Sequence, residues 1–297
     1  IHRIVNRHQE EFSEIFQQQI VPELRRQHIH ILRRLDLNEE QRQFVENYFH
    51  EKLLPFVMPV LLVKHRIRPF LANANLYLAV HLRPIKRPLS ESEYALVKIP
   101  SDQLPRFVAL PSGPNRFDVI LLDDVVRHSV SWLFPGFDIQ DTYSIKLTRD
   151  AELYIDDEYS GDLVQKIKSS LQKRQVGPPS RFVYDREMPE HLLTYLRDTF
   201  EIRKNDVLPE GRYHNNFDFF KFPDFGMTHL RNKPLPPLPH PLLHEAADPF
   251  KIIREKDQML HVPYQSYESV INFFECAAKD PAVTHIKVIQ YRVAKYS

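Results

Sequence analysis

Residues 265–293 read QSYESVINFFECAAKDPAVTHIKVIQYRV, and this stretch decides how the C-terminal part of the chain folds. Gln265 to Lys279 reads as a helix, with Ser266 as its N-cap and the apolar-periodic run Ile271 to Ala278 as its buried face. Asp280-Pro281 breaks it, because proline cannot continue a helix. Thr284 to Val293 then reads as a strand in which Ile286, Val288 and Gln290 alternate with Lys287, Ile289 and Tyr291. Helix, turn and buried strand are the opening of an α/β domain. Arg292 falls at the C-terminal end of that strand, where open α/β sheets assemble their sites, and is a candidate anion ligand.

Immediately upstream, Pro234, Pro236, Pro237, Pro239 and Pro241 crowd into Lys233 to Pro241, a segment suited to extended polyproline conformation and to neither helix nor central strand. The main domain boundary is expected there. Before it the pattern is α+β. Leu76, Leu78, Val80 and Leu82 alternate with Tyr77, Ala79 and His81 as on a half-buried strand, and Tyr94–Ile99, Phe107–Leu110, Phe117–Leu122, Tyr143–Thr148 and Arg181–Tyr184 read as further strands. Asp123–Leu133, Asp162–Leu171 and Glu190–Phe200 have helical spacing. At the start, Ile1, Ile4, Val5, Phe12, Ile15, Phe16, Ile20 and Leu24 mark an amphipathic helix interrupted near Pro22, and Asn38 with Gln41 is a capping-box signature for a second helix.

The 297 residues suffice for two domains, and 42% hydrophobic with 27% charged residues is ordinary globular composition. A formal charge of +1 is too small for a surface that coats nucleic acid, so a polyanion would bind in a local groove. The longest apolar runs, such as Leu53 to Val63, carry prolines and are shorter than the ~20 residues that cross a bilayer. The lone Cys276 allows no internal disulfide and points to a reducing compartment. The chain opens at Ile1 inside a helical pattern and ends at Ser297 just past a strand-like run, so it is expected to be an internal piece of a longer protein.

Six glycines leave no G-x-x-x-x-G-K-[ST] and no G-x-G-x-x-G, so phosphate would have to be held by side chains. The fifteen histidines form no standard zinc spacing, and Pro241 spoils the helix that His240 and His244 would need. Asp156, Glu158, Ser160 and Gly161 mimic an EF-hand start, but Ile167 stands where the bidentate glutamate belongs. Arg149-Asp150 reads as a local polar network; Asp218, Asp224 and the phenylalanines Phe217, Phe219, Phe220, Phe222 and Phe225 could flank a ligand, with core or interface packing the expected use of the phenylalanine cluster.

Leu260-His261-Val262-Pro263-Tyr264-Gln265-Ser266-Tyr267, Ala277 to Val283 and Ile286 to Ala294, in that order and spacing, resemble the entry to the first C-terminal domain of the bacterial polyphosphate kinase family. Ile99-Pro100-Ser101, Leu104 to Val108, Leu133-Phe134-Pro135-Gly136 and Thr148 to Glu152 are similar to its head domain. The resemblance implies an N-terminal helix ending a helical domain (1–27), a mixed α/β head domain (28–240) and the start of a phospholipase D-like α/β domain (241–297). It implies reversible transfer of the terminal phosphate of ATP to polyphosphate through a phosphohistidine, with Mg2+. The nucleotide-contacting asparagine would precede Ile1 and the phosphohistidine would follow Ser297, so the chain alone is expected to be inactive. Of the family's active-site positions only Arg292 is matched, at the magnesium-phosphate group. A guanidinium has no lone pair for a cation, so Arg292 is expected on phosphate oxygens, with any metal held through them. Val262 stands where the family often has a second histidine, so no catalytic role passes to His261. A homodimer or higher assembly through the head, no nucleic-acid partner, and a cytoplasmic location with peripheral contact to the inner membrane are also implied. The alternatives are a non-catalytic oligomerisation scaffold sharing the head fold and a phospholipase D-like nuclease, which would leave the head unexplained.

Overall fold

The computed structural model describes residues 2–63, 69–86, 93–149 and 179–289. The chain divides into two compact units, Ile1–Phe225 and Gly226–Ser297.

In the first unit, helix α1 (His2–Ile15) runs through one π-helical turn (Phe16–Ile20) into α2 (Val21–Arg26). The wide turn answers Pro22: a proline ring clashes with the carbonyl four residues back, and here Val21 N–H reaches to Phe16 O instead. The expected interruption is therefore a widening of the helix. After β1 (Ile29–Leu32), helix α3 (Glu39–Tyr48) starts in the expected capping box: Gln41 N–H donates to Asn38 Oδ1 at 2.9 Å, and Asn38 N–H to Gln41 Oε1 at 3.2 Å. The Gln41 amide also donates to Asp118 Oδ2 at 2.8 Å and to Pro111 O at 3.0 Å, so the cap fastens the helix to the sheet beneath it.

Strands β2 (Pro59–Leu62), β3 (Leu76–Pro84), β4 (Glu93–Ile99), β7 (Phe137–Arg149), β8 (Pro179–Asp185) and β9 (Val207–Glu210) form a sheet in the order β2-β4-β3-β7-β8-β9. It is antiparallel except for the last pair, β8 with β9. A smaller sheet, β1-β6-β5, is made with β5 (Phe107–Leu110) and β6 (Phe117–Leu121). The α+β class expected from the sequence is observed.

Leu76, Leu78, Val80 and Leu82 of β3 pack into a core shared with Val108, Leu110 and Ile120 of the small sheet, Val45 of α3, and Val125, Val126 and Val130 of helix α4 (Leu122–Leu133). The half-buried reading of β3 needs correction. Tyr77 and Ala79 are buried too, with Ile145, Leu147 and Phe182, under Leu192, Leu196 and Phe200 of helix α5 (Glu190–Phe200). A strand covered on both faces gains burial from every residue, and the small Ala79 and flat Tyr77 fit beneath a helix. The expected helix at Asp162–Leu171 lies outside the described residues.

The second unit contains helices α6 (Pro249–Glu255) and α7 (Glu268–Lys279), joined by contact of Phe250 with Phe273 at 5.2 Å between ring centres. Ser266 Oγ accepts Glu268 N–H at 3.2 Å, just before the first turn of α7. Asp280 and Pro281 end the helix, with Asp280 Oδ1 accepting Ala282 N–H at 2.8 Å. Of the expected strand Thr284–Val293, residues 284–289 lie in no strand, and Ile289 is fully exposed. A strand persists only when a neighbour takes up its backbone groups, and among the described residues none pairs with this segment. The proline run belongs to the second unit, and Leu238 within it exchanges backbone bonds with Tyr264 (2.8 Å) and Ser266 (2.9 Å). No helix among the described residues is long and apolar enough to cross a membrane.

Candidate functional site

The densest concentration of charge lies where α4 begins. Leu122-Asp123-Asp124-Val125-Val126-Arg127 buries two acids and an arginine on a helix otherwise given to core packing. Acids in the first turn face the positive end of the helix dipole, and here each also meets a guanidinium. Arg106 grips Asp123 with Nε and Nη2 and reaches Asp218 Oδ2 with Nη1 at 2.6 Å, while Nη2 also donates to His214 O at 3.2 Å. Arg127 pairs with Asp124 Oδ1 at 3.0 Å and donates to Ser144 Oγ on β7, whose hydroxyl passes its own proton to Arg212 O at 2.7 Å. Tyr213 donates its phenol to Asp124 Oδ2, and Arg212 stands 3.5 Å from Asp124 Oδ1.

These partners hold segment 212–218 against α4 and β7. Burial, the nearby Asp124 charge and the hydrogen bond to it push the Tyr213 phenol far up, so it stays protonated. His214 is pushed down to about 3 by burial and by the cations of Arg106 and Arg127, so it stays neutral. With every carboxylate engaged, the phenol locked and the imidazole neutral, the cluster acts as a clamp and supplies neither a nucleophile nor a proton shuttle.

Arg292, the one residue assigned to a site from the sequence, lies outside the described residues, as do Asp150 and the EF-hand-like segment 156–167. Arg149 donates Nε to Leu71 O at 3.1 Å and lies over the Phe70 ring. Asp218 belongs to the clamp. Phe219 and Phe222 pack on Phe107, and Phe225 on Phe117, whereas Phe217 and Phe220 meet each other and are exposed. His240 Nδ1 accepts the backbone N–H groups of Leu242 and Leu243, which gives that histidine a turn-capping role. Cys276 is half-buried, with Sγ 3.7 Å from Asn272 Oδ1.

Residues 40–222 match the polyphosphate kinase middle domain, and residues 248–297 match polyphosphate kinase C-terminal domain 1. The chain belongs to the polyphosphate kinase family. It is 39% identical to the polyphosphate kinase of Vibrio cholerae over 295 residues and 37% identical to that of Escherichia coli over 297, in each case across 97% of this chain. It spans 41% and 42% of those two proteins. The crystal structure of polyphosphate kinase from Porphyromonas gingivalis superposes with a TM-score of 0.74 at 29% identity, over 94% of this chain and 40% of that one. The clamp falls within the polyphosphate kinase middle-domain match, and Arg292 within the C-terminal domain match.

Sequence reasoning missed the clamp. Its available signal is the pair Asp123-Asp124 with Arg127 one turn on, three charges in a helix whose remaining residues are mostly apolar.

Proposed function

We propose that the protein of which this chain forms about two fifths is an ATP:polyphosphate phosphotransferase, reversibly moving the terminal phosphate of ATP onto polyphosphate through a phosphohistidine beyond Ser297. The observation that carries this reading is the match of two successive domains, in order, across nearly the whole chain. A scaffold sharing only the head fold would leave the match over 248–297 without explanation.

In this reading the second unit leads to Arg292, whose guanidinium binds oxygens of the transferring phosphate by charge-assisted hydrogen bonds. Mg2+ enters with the nucleotide. The described residues do not fit a protein-held metal: Asp123 and Asp124 are each engaged by arginine, Asp118 by Arg116 and Gln41, and no group of three potential ligands is present among them. The proposed assembly is a homodimer through the head, in the cytoplasm or at the inner-membrane surface, without nucleic acid.

The test is phosphate transfer from ATP to polyphosphate by the complete protein beside the 297-residue chain. Turnover by the first and none by the second is expected. Turnover by the chain alone would overturn the placement of the nucleophile beyond Ser297, and none by the folded complete protein would overturn the activity.

A further inference from the structure

The face of β7 that carries Ser144 in the clamp continues, two and four residues on, to Lys146 and Thr148, since alternate residues of a strand share a face. Arg181 of β8 lies in register opposite Thr148, and Glu210, the last residue of β9, is in register with Asp185 further along β8. These side chains, with Asn215 and with Gln9 of α1, line a cavity of about 270 Å³ within the first unit.

Apart from Val183 the lining residues are polar, and their hydrogen bonding is incomplete. Lys146 Nζ is bonded to the neutral Asn215 Oδ1 at 2.7 Å. Asn215 holds a left-handed backbone conformation (φ 68°), which asparagine tolerates better than most residues and which turns its amide to the lysine. Arg181 Nε and Gln9 Oε1 are both buried with no hydrogen-bond partner among the described residues. A buried donor on a guanidinium left without an acceptor is costly, and such atoms in native proteins commonly await an ion or water. Two cations face one carboxylate, so the cavity favours a negative guest. Burial pushes the Glu210 carboxyl up, against the pull of Arg181 and Lys146, and pushes the Lys146 ammonium down, so it weakens charge of both signs, and the unpartnered Arg181 Nε is what calls for an anion.

We propose that this cavity is an oxyanion site that takes a phosphate group, either free or at the end of a phosphate chain. Its oxygens accept from Lys146 Nζ, Arg181 Nε, the Thr148 hydroxyl and the Asn215 Nδ2 left over once Oδ1 faces the lysine. A phosphate bearing one proton satisfies Gln9 Oε1 as well, and so does a half-turn of that amide that brings its nitrogen inward. Apart from Gln9 the site lies within the middle-domain match, and it stands independently of the transfer reaction proposed above.

Titration calorimetry on the 297-residue chain, with inorganic phosphate and with tripolyphosphate, tests this. Both are expected to bind. Arg181→Gln should weaken both by at least about tenfold with an unchanged melting temperature, and Glu210→Gln should strengthen both. Lys204→Gln, which removes an exposed lysine that does not line the cavity, should leave both unchanged. Tighter binding of tripolyphosphate with the same Arg181 dependence identifies the chain end as guest, and equal affinity identifies free phosphate. No binding of either at millimolar concentration, or binding by folded Arg181→Gln as strong as by the parent chain, overturns the site and leaves a water-filled cavity.

Discussion

Arg106 and Asp123 form a two-pronged ion pair, Nε to Oδ2 at 2.6 Å and Nη2 to Oδ1 at 2.9 Å, with neither side chain more than 2% exposed. Removing one partner of such a pair strands the other charge away from water, which costs about 3–5 kcal/mol. Arg106→Ala strands Asp123 and also leaves Asp218 without its arginine. Urea unfolding of the first unit should show a loss in that range, and Arg106→Lys should recover only part of it, because an ammonium cannot make the parallel pair. Replacing Arg106 by Met and Asp123 by Leu together should cost less than Arg106→Ala alone. A loss under about 1 kcal/mol for Arg106→Ala would mean that the clamp does not hold the 212–218 segment.

His214 gives the clamp a pH dependence whose sign is fixed. Its folded pKa, about 3, lies below the usual value near 6.5, so below pH 6.5 the unfolded chain binds a proton that the folded chain does not. Stability from this group is present above that pH and is lost as pH falls toward 3. Between pH 7.5 and 5.5, mostly above the carboxylate range, the chain should lose about 1.4 kcal/mol more than His214→Phe, which keeps a buried ring without the titration. The other fourteen histidines are common to both proteins and cancel in the comparison. Parallel pH profiles would show that the fold leaves the His214 pKa unshifted, and a chain that gained stability relative to His214→Phe on acidification would show His214 protonated in the fold.

Limited proteolysis should open the chain between Gly226 and Pro237 before it cuts within the first unit. Leu235 is 94% exposed, whereas Leu238 is bonded on both its N–H and its carbonyl. Trypsin should cleave at Arg231–Asn232 first, since Lys233 precedes proline. First cuts inside 93–149 would place the weakest backbone in the wrong unit.

How much of this was legible in the sequence depended on local pattern. Phe107–Leu110 and Glu190–Phe200 are found with their expected bounds, because period-two and period-3.6 burial need no knowledge of the partner. The strands missed were β1, β2 and β9, each four residues long. Pro59 opens β2 and Pro209 interrupts β9, and proline argues against a strand unless the strand lies at an edge, as both do. The burial of Tyr77 and Ala79 needed α5, more than a hundred residues further on, to be known as their cover. The clamp was hidden for the same reason: Arg106 meets Asp218 across 112 positions, and no spacing rule reaches that far. Arg292 was legible only through resemblance, since one arginine at a strand end is common in any α/β sequence.

The role proposed for Arg292 makes the last prediction, in the complete protein. Charge shifts onto the oxygens of a phosphate during transfer, and a fixed cation in a site poor in water stabilises that charge more than it stabilises the ground state. Arg292→Ala should therefore slow turnover by roughly a hundredfold or more, by analogy with loss of a single transition-state donor. Arg292→Lys should restore part of the rate, because lysine keeps the charge but loses the fork that grips two oxygens at once. A side chain facing the phosphate contributes little to folding, so both variants should melt within a few degrees of the parent. An arginine that merely completed an ion pair would behave the opposite way, lowering the melting temperature in both variants while turnover per folded molecule held. Melting and phosphorylation measured on the same preparations separate the two, and parental turnover by Arg292→Ala would remove Arg292 from the site.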